Sequence, residues 1–148
     1  MVPQVVRKYF FTFFLNRLVC NFLDRHRPPR NFGDRGERIA ERHLLRLGYY
    51  IVGRNHRSRY GEIDLIAVDE KTVVFVEVKA RASNIAGYAA EAVDDDKEVK
   101  ISKTAAEYVR YRGLHDSRKR FDVIAIDFEG KSWTLRHFRN AFESAIDD

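Results

Sequence analysis

Tyr60–Arg81 reads YGEIDLIAVDEKTVVFVEVKAR. Two runs rich in Ile, Leu, Val and Phe flank a polar DEK, the pattern of two strands joined by a turn. Three acids interrupt those runs: Glu62, Asp64 and Glu77. Lys79 follows two residues after Glu77. A buried carboxylate is costly unless a proton, a cation or hydrogen bonds compensate its charge. Side chains alternate along a strand, so Glu62 and Asp64 share one face, and so do Glu77 and Lys79. The turn decides whether those faces coincide. A loop of two or four residues sets Asp64 opposite Glu77 and Glu62 opposite Lys79, whereas three residues would put Asp64 and Glu77 on opposite sides of the sheet.

In the even register the Asp64 and Glu77 Cβ atoms are expected about 4.5–5.5 Å apart. Two carboxylates that close repel unless something positive lies between them. Oxygen ligands so placed suit Mg²⁺ or Mn²⁺. Lys79, one step along, can hold an attacking water or a phosphate oxygen, and the set suits metal-assisted hydrolysis of a phosphodiester. The ordinary alternative is a Glu62–Lys79 cross-strand salt bridge with Asp64 capping a turn. The apolar IDLIA and VFVEVK around these residues read as central strands, which favours the functional reading.

Working outward, the 148 residues fit a single domain with a real core. DRGERIAERHLLRLGYY reads as a helix, with Asp34 as cap, an apolar stripe of Ile39, Ala40, Leu44 and Leu47, and Gly48 as its stop. YYIVGRN is a short strand before the pair. DKEVKISKTAAEYVRYRG is a second helix ending at Gly113, and RFDVIAIDF and WTLRHF are two further strands around EGK. The order α-β-β-β-α-β-β predicts an α/β fold with a mixed sheet flanked by helices, over residues 34–148.

Residues 1–33 form an extension of another character. VVRKYFFTFFLNRLVCNFL has helical apolar spacing, broken by Arg7, Lys8, Asn16 and Arg17, so it matches neither a membrane span nor a signal peptide. It reads as an amphipathic helix packed on its own domain or on a partner. The alternative is a membrane-surface helix through residues 1–25. DRHRPPRNFGD then reads as a linker. Residues 1–35 carry seven Arg or Lys against Asp24 and Asp34, while the other 113 residues carry twenty charges of each sign. The basic pI near 9.4 therefore belongs to the extension, and a nucleic-acid argument for the core must rest on local placement. A lone Cys20 excludes an internal disulfide and fits a reducing, cytoplasmic setting.

Local placement offers GRNHRSRYG before the acidic pair. Arg54, Arg57 and Arg59 could neutralise phosphates and Tyr60 could stack on a base, with a solvated loop as the alternative. Arg81, Lys97 and Lys100 are further candidate phosphate contacts. Asp94–Asp96 precede the second helix, where acids favour the helix dipole. Asp122 can pair with Arg120. The five His residues have no metal-ligand spacing.

At GERIAERHLLRLGY, GRNHRSRYGEIDLIA, VFVEVKARAS, EAVDDDKEVKISKTAAEYV, RFDVIAID and NAF the chain resembles the YraN-like family. The likeness runs from about Gly36 to Phe142. That family has a restriction-endonuclease-like fold and belongs to the PD-(D/E)xK nuclease superfamily. The resemblance implies metal binding by Asp64 and Glu77, catalysis by Lys79, and help from Glu37. The Pro that precedes the Asp in that motif is replaced by Ile63. Two roles stay open for Glu37: partner of Asp34 in a capping box, or a member of the metal site. The expected function is a Mg²⁺- or Mn²⁺-dependent nuclease acting on DNA or RNA. The alternatives are a non-catalytic nucleic-acid-binding module of the same fold, or a partner-docking protein that uses its N-terminal helix.

Overall fold

The computed structural model describes residues 31–82 and 93–146. The expected N-terminal helix, its linker and Cys20 lie almost wholly in residues 1–30, outside the described residues. Helix α1 (Phe32–Arg46) starts earlier than expected. Its cap is Asn31, whose Oδ1 accepts from the Asp34 N–H at 2.9 Å. Asp34 thus sits in the first turn, where its charge favours the helix dipole. Glu37 is one turn further in and is free of any capping box. Ile39, Ala40 and Leu44 are buried as expected, but Leu47 is 54% exposed. It is the C-cap residue, beyond the last buried turn. Gly48, at φ 87°, ends the helix in the left-handed conformation.

Five strands follow: β1 (Tyr50–Arg57), β2 (Glu62–Asp69), β3 (Thr72–Ala82), then β4 (Arg118–Glu129) and β5 (Ser132–Phe142) after helix α2 (Asp95–Arg112). They form one sheet in the order β1-β2-β3-β4-β5. Every neighbour is antiparallel except β3 and β4, which are parallel. The parallel pair needs a crossover, and α2 supplies it. The sheet is mixed and flanked by two helices, in the order read from the sequence, and is consistent with a restriction-endonuclease-like fold.

Each face of the sheet buries one helix. On β3, Val74 and Val76 join the cluster under α1 with Ala40 and Leu44, while Val73 and Phe75 join Ile101, Ala105 and Tyr108 of α2. This is the two-residue alternation of a strand covered on both sides. Gly36 brings α1 hard against β3: a Cβ there would lie 2.5 Å from the Ala80 Cβ. Helix α2 is capped by Asp94, whose Oδ1 accepts from the Lys97 N–H at 2.8 Å, with Asp95 and Asp96 in its first turn. The acid run thus serves the helix start, as its position suggested. No helix among the described residues is long and apolar enough to cross a membrane.

Candidate active site

The β2–β3 turn has two residues, Glu70 and Lys71, so the register is the even one: Asp69 pairs with Thr72 and Leu65 with Val76. The backbone ladder stops at Leu65. One residue further, the Asp64 carboxylate takes over, its Oδ2 accepting from the Val78 N–H at 2.7 Å. A side chain thus replaces the next backbone pairing, and the strands open where Asp64 and Glu77 meet.

The opening has a counterpart on β1. Asn55 stands in the left-handed region at φ 44°, a conformation Asn tolerates better than most residues. On either side of it, Arg54 reaches Glu41 on α1 while the His56 ring stacks edge-on to Tyr108 on α2. Their β2 partners mirror the switch, since Leu65 belongs to the α1 cluster and Ile63 to the α2 cluster. Strict alternation would put both members of each such pair on one face. Asn55 and Asp64 are therefore the residues at which two adjacent strands change over. The Asn55 Nδ2 donates to Glu37 Oε2 at 2.8 Å, which ties the start of α1 to this end of the sheet.

The electrostatics follow from burial without enough partners. Burial, then the charge of Glu77, pushes the Asp64 carboxyl up to about 6, against the pull of the Val78 N–H and Lys97. Burial likewise raises Glu77, against Lys97 and Lys79. Glu37 is raised by burial and, more weakly, by Asp64, while the Asn55 hydrogen bond opposes the shift. The Glu77 side chain is only 11% exposed. Its Oε1 lies 3.2 Å from Lys97 Nζ, and its Oε2 is buried with no hydrogen-bond partner. A buried, unpaired carboxylate oxygen beside a second carboxylate is an arrangement that a cation would satisfy.

Among the described residues, no group of three or more His, Cys, Asp or Glu side chains is gathered as a metal cage. Two carboxylates do fit an ion such as Mg²⁺, which is commonly held by one or two carboxylates together with water and substrate phosphates.

Arg54, Arg57, Arg59, Tyr60 and Arg81, also singled out in the sequence, have partners within the chain. Arg54 makes a two-pronged pair with Glu41. Arg57 donates to Glu62 at 3.1 Å, and Arg59 sits 3.7 Å from Glu107 and over the Tyr60 ring. Lys103 Nζ approaches the same ring from α2. Arg81 pairs with Asp127 at 2.6 Å. Asp64, Glu77, Glu37 and Lys97 are linked by the bonds and charges just described. Lys79 acts on Glu77 through its charge.

A second buried acid lies under α1. Asp122 does pair with Arg120, Nε donating at 2.8 Å, and also accepts from His137 Nε2 at 2.8 Å and from the Asn140 N–H at 3.0 Å. His43 Nε2 lies 3.2 Å from His137 Nδ1. Arg120 continues to Asp69 and the Tyr49 hydroxyl. The sequence showed only the Arg120–Asp122 link, because the two His residues are 94 positions apart.

Comparison with known proteins identifies relatives over this same region. Residues 36–126 match the family model described as "Uncharacterised protein family UPF0102". A UPF0102 protein of Rhodococcus jostii is 48% identical over 111 residues, covering 74% of this chain and 94% of its own. One from Geobacter metallireducens is 44% identical over 116 residues, 78% of this chain and 95% of its own. One from Desulfosudis oleivorans is 41% identical over 117 residues, 79% and 94% respectively.

Proposed function

The chain belongs to the UPF0102 family, the YraN-like group, and from that premise we propose that it is a metal-dependent nuclease acting on nucleic-acid phosphodiesters. The observation that carries this reading is the buried, unpartnered Glu77 Oε2 beside an Asp64 whose carboxyl is raised to about 6. A purely structural acid pair would be expected to have all its oxygens served. Asp64 and Glu77 would hold Mg²⁺ or Mn²⁺. Such an ion, when bound, neutralises phosphate charge and makes bound water a stronger nucleophile near neutral pH.

The chain's own residues have distinct tasks in this reading. Asp64 is steered by the Val78 N–H, which fixes one oxygen and leaves the other for the ion. Lys79, on the same strand as Glu77, holds the attacking water or a phosphate oxygen. Glu37, held by Asn55, adds negative charge beside Asp64 and assists as a proton acceptor. Arg57, whose side chain is 78% exposed, and Arg59 and Tyr60 beside it, hold the nucleic-acid backbone by exchanging their weak surface pairs for phosphates.

The test is cleavage of single-stranded, duplex and branched DNA and RNA by full-length protein with Mg²⁺ or Mn²⁺. Cutting is expected to need the metal and to fall by at least a hundredfold, on the order of a lost catalytic group, in Asp64→Ala, Glu77→Ala and Lys79→Ala. Cutting that survives Asp64→Ala or Glu77→Ala contradicts the site. Metal-independent, salt-sensitive binding without cleavage would instead mark a binding module of the same fold.

A further inference from the structure

Lys97 stands where the sequence suggested a phosphate contact, yet its ammonium points at Glu77. It sits in the first turn of α2, and its backbone N–H is fixed to the Asp94 carboxylate. The root of the side chain is therefore anchored through the backbone, while its tip is held by the ion pair with Glu77. The side chain is 40% exposed, against 11% for Glu77. Lys97 is thus the more exposed member of the pair.

The ammonium serves the pair incompletely. It reaches Glu77 Oε1 and leaves Oε2 buried with no partner, and only its charge reaches Asp64. Lys79 adds its charge at Glu77, yet Oε2 still has no partner, and a doubly charged ion between the two carboxylates would supply one. The two cations exclude each other, because an ammonium in contact with Glu77 would stand against the ion in mutual repulsion.

We infer that Lys97 is an internal cation that holds Glu77 in the metal-free protein and gives that carboxylate up to the divalent ion. This rests on the metal-site reading above and adds a regulatory contact to it. The released ammonium then stands beside the ion on a flexible stem, free to meet the phosphate of an incoming substrate. Metal binding and phosphate capture become one exchange, in which Lys97 trades a carboxylate for a phosphate.

Calorimetric titration of full-length protein with Mn²⁺ at pH 8, above the raised range of Asp64, tests the exchange. Lys97→Met keeps the apolar stem and the helix cap but removes the charge. It should bind Mn²⁺ on the order of tenfold more tightly than wild type, the effect of deleting a like charge at contact distance. Lys97→Arg keeps the charge and should stay near the wild-type affinity. Affinity in Lys97→Met that is equal to or weaker than wild type overturns the inference, as does equal tightening in Lys97→Arg. If wild-type protein shows no binding that Asp64→Asn removes, the metal-site reading fails, and this inference with it.

Discussion

Asp122 and Glu77 are both acids taken out of water by the same sheet, on opposite faces of it. Asp122 is fully buried, and its two oxygens accept from Arg120, His137 and the Asn140 N–H. Glu77 has one oxygen on a half-exposed Lys97 and another on nothing. Burial alone would raise both. At Asp122 the hydrogen bonds outweigh it and hold the carboxyl below its usual range, whereas at Asp64 and Glu77 burial wins. Satisfaction of the charge, rather than depth, decides which way a buried acid moves. The first site is finished as it stands. The second has an oxygen left without a partner.

The largest effect should come from breaking the finished site. Asp122→Ala leaves Arg120 short of a partner and His137 without its acceptor, and should cost about 3–5 kcal/mol by urea denaturation. A loss under about 1 kcal/mol would mean that the network is decorative.

Asp64 should behave in the opposite sense. Its native pKa is raised from 3.8 to about 6, so the native state holds a proton that the unfolded chain has released between those values. Stability from this group is present below pH 4 and lost as pH rises through about 6. For Asp122 the sign reverses: its contribution is present above the unfolded carboxylate range and lost as pH falls. Asp64→Asn should therefore raise metal-free stability at pH 7 by up to about 3 kcal/mol, the equivalent of two pKa units, with little effect at pH 4. Unfolding curves at the two pH values check it, and a destabilised variant at pH 7 would show that Asp64 is already satisfied.

Helix α1 joins the two regions, with Glu37 near its start and His43 in its last turn. Gly36→Ala sharpens the contrast because the new Cβ would collide with Ala80. The cost should be about 1–3 kcal/mol, as for overpacking, and Ala80→Gly should restore part of it. The damage should fall on the Glu37–Asn55 contact and leave the His43–His137 contact in place. Histidine and asparagine side-chain NMR signals in the variant distinguish the two.

Much of this architecture was legible in the chain because it depends on short-range pattern. The period-two runs marked the two strands, and Gly48 and Gly113 marked both helix ends, but DEK does not choose between a two- and a three-residue loop, and the pairing of Asp69 with Thr72 sets Asp64 against Glu77. The first helix starts earlier than its sequence suggests because Asp34 and Asn31 are both good caps, and local pattern does not choose between them. The changeover at Asn55 had a faint signal, since Asn is depleted in strands, but its bond to Glu37 depends on how α1 lies across the sheet. The His43–His137–Asp122 chain and the Lys97–Glu77 contact are long-range outcomes of packing. Lys97 was recognisable as a cation near the site, but not as one turned inward.

Uptake of a divalent ion by Asp64 and Glu77 together is the central claim. Its most direct measurement is the number of protons released when Mn²⁺ binds, obtained by calorimetry in buffers of different ionisation heat. Carboxylates must lose their protons to bind metal. Near pH 6 the wild-type protein should release about half a proton or more, as expected for a group half protonated there. Release should fall towards zero by pH 8, and Asp64→Asn should lose the binding heat. Binding that is indifferent to pH between 5.5 and 8, or that survives intact in Asp64→Asn, would contradict it.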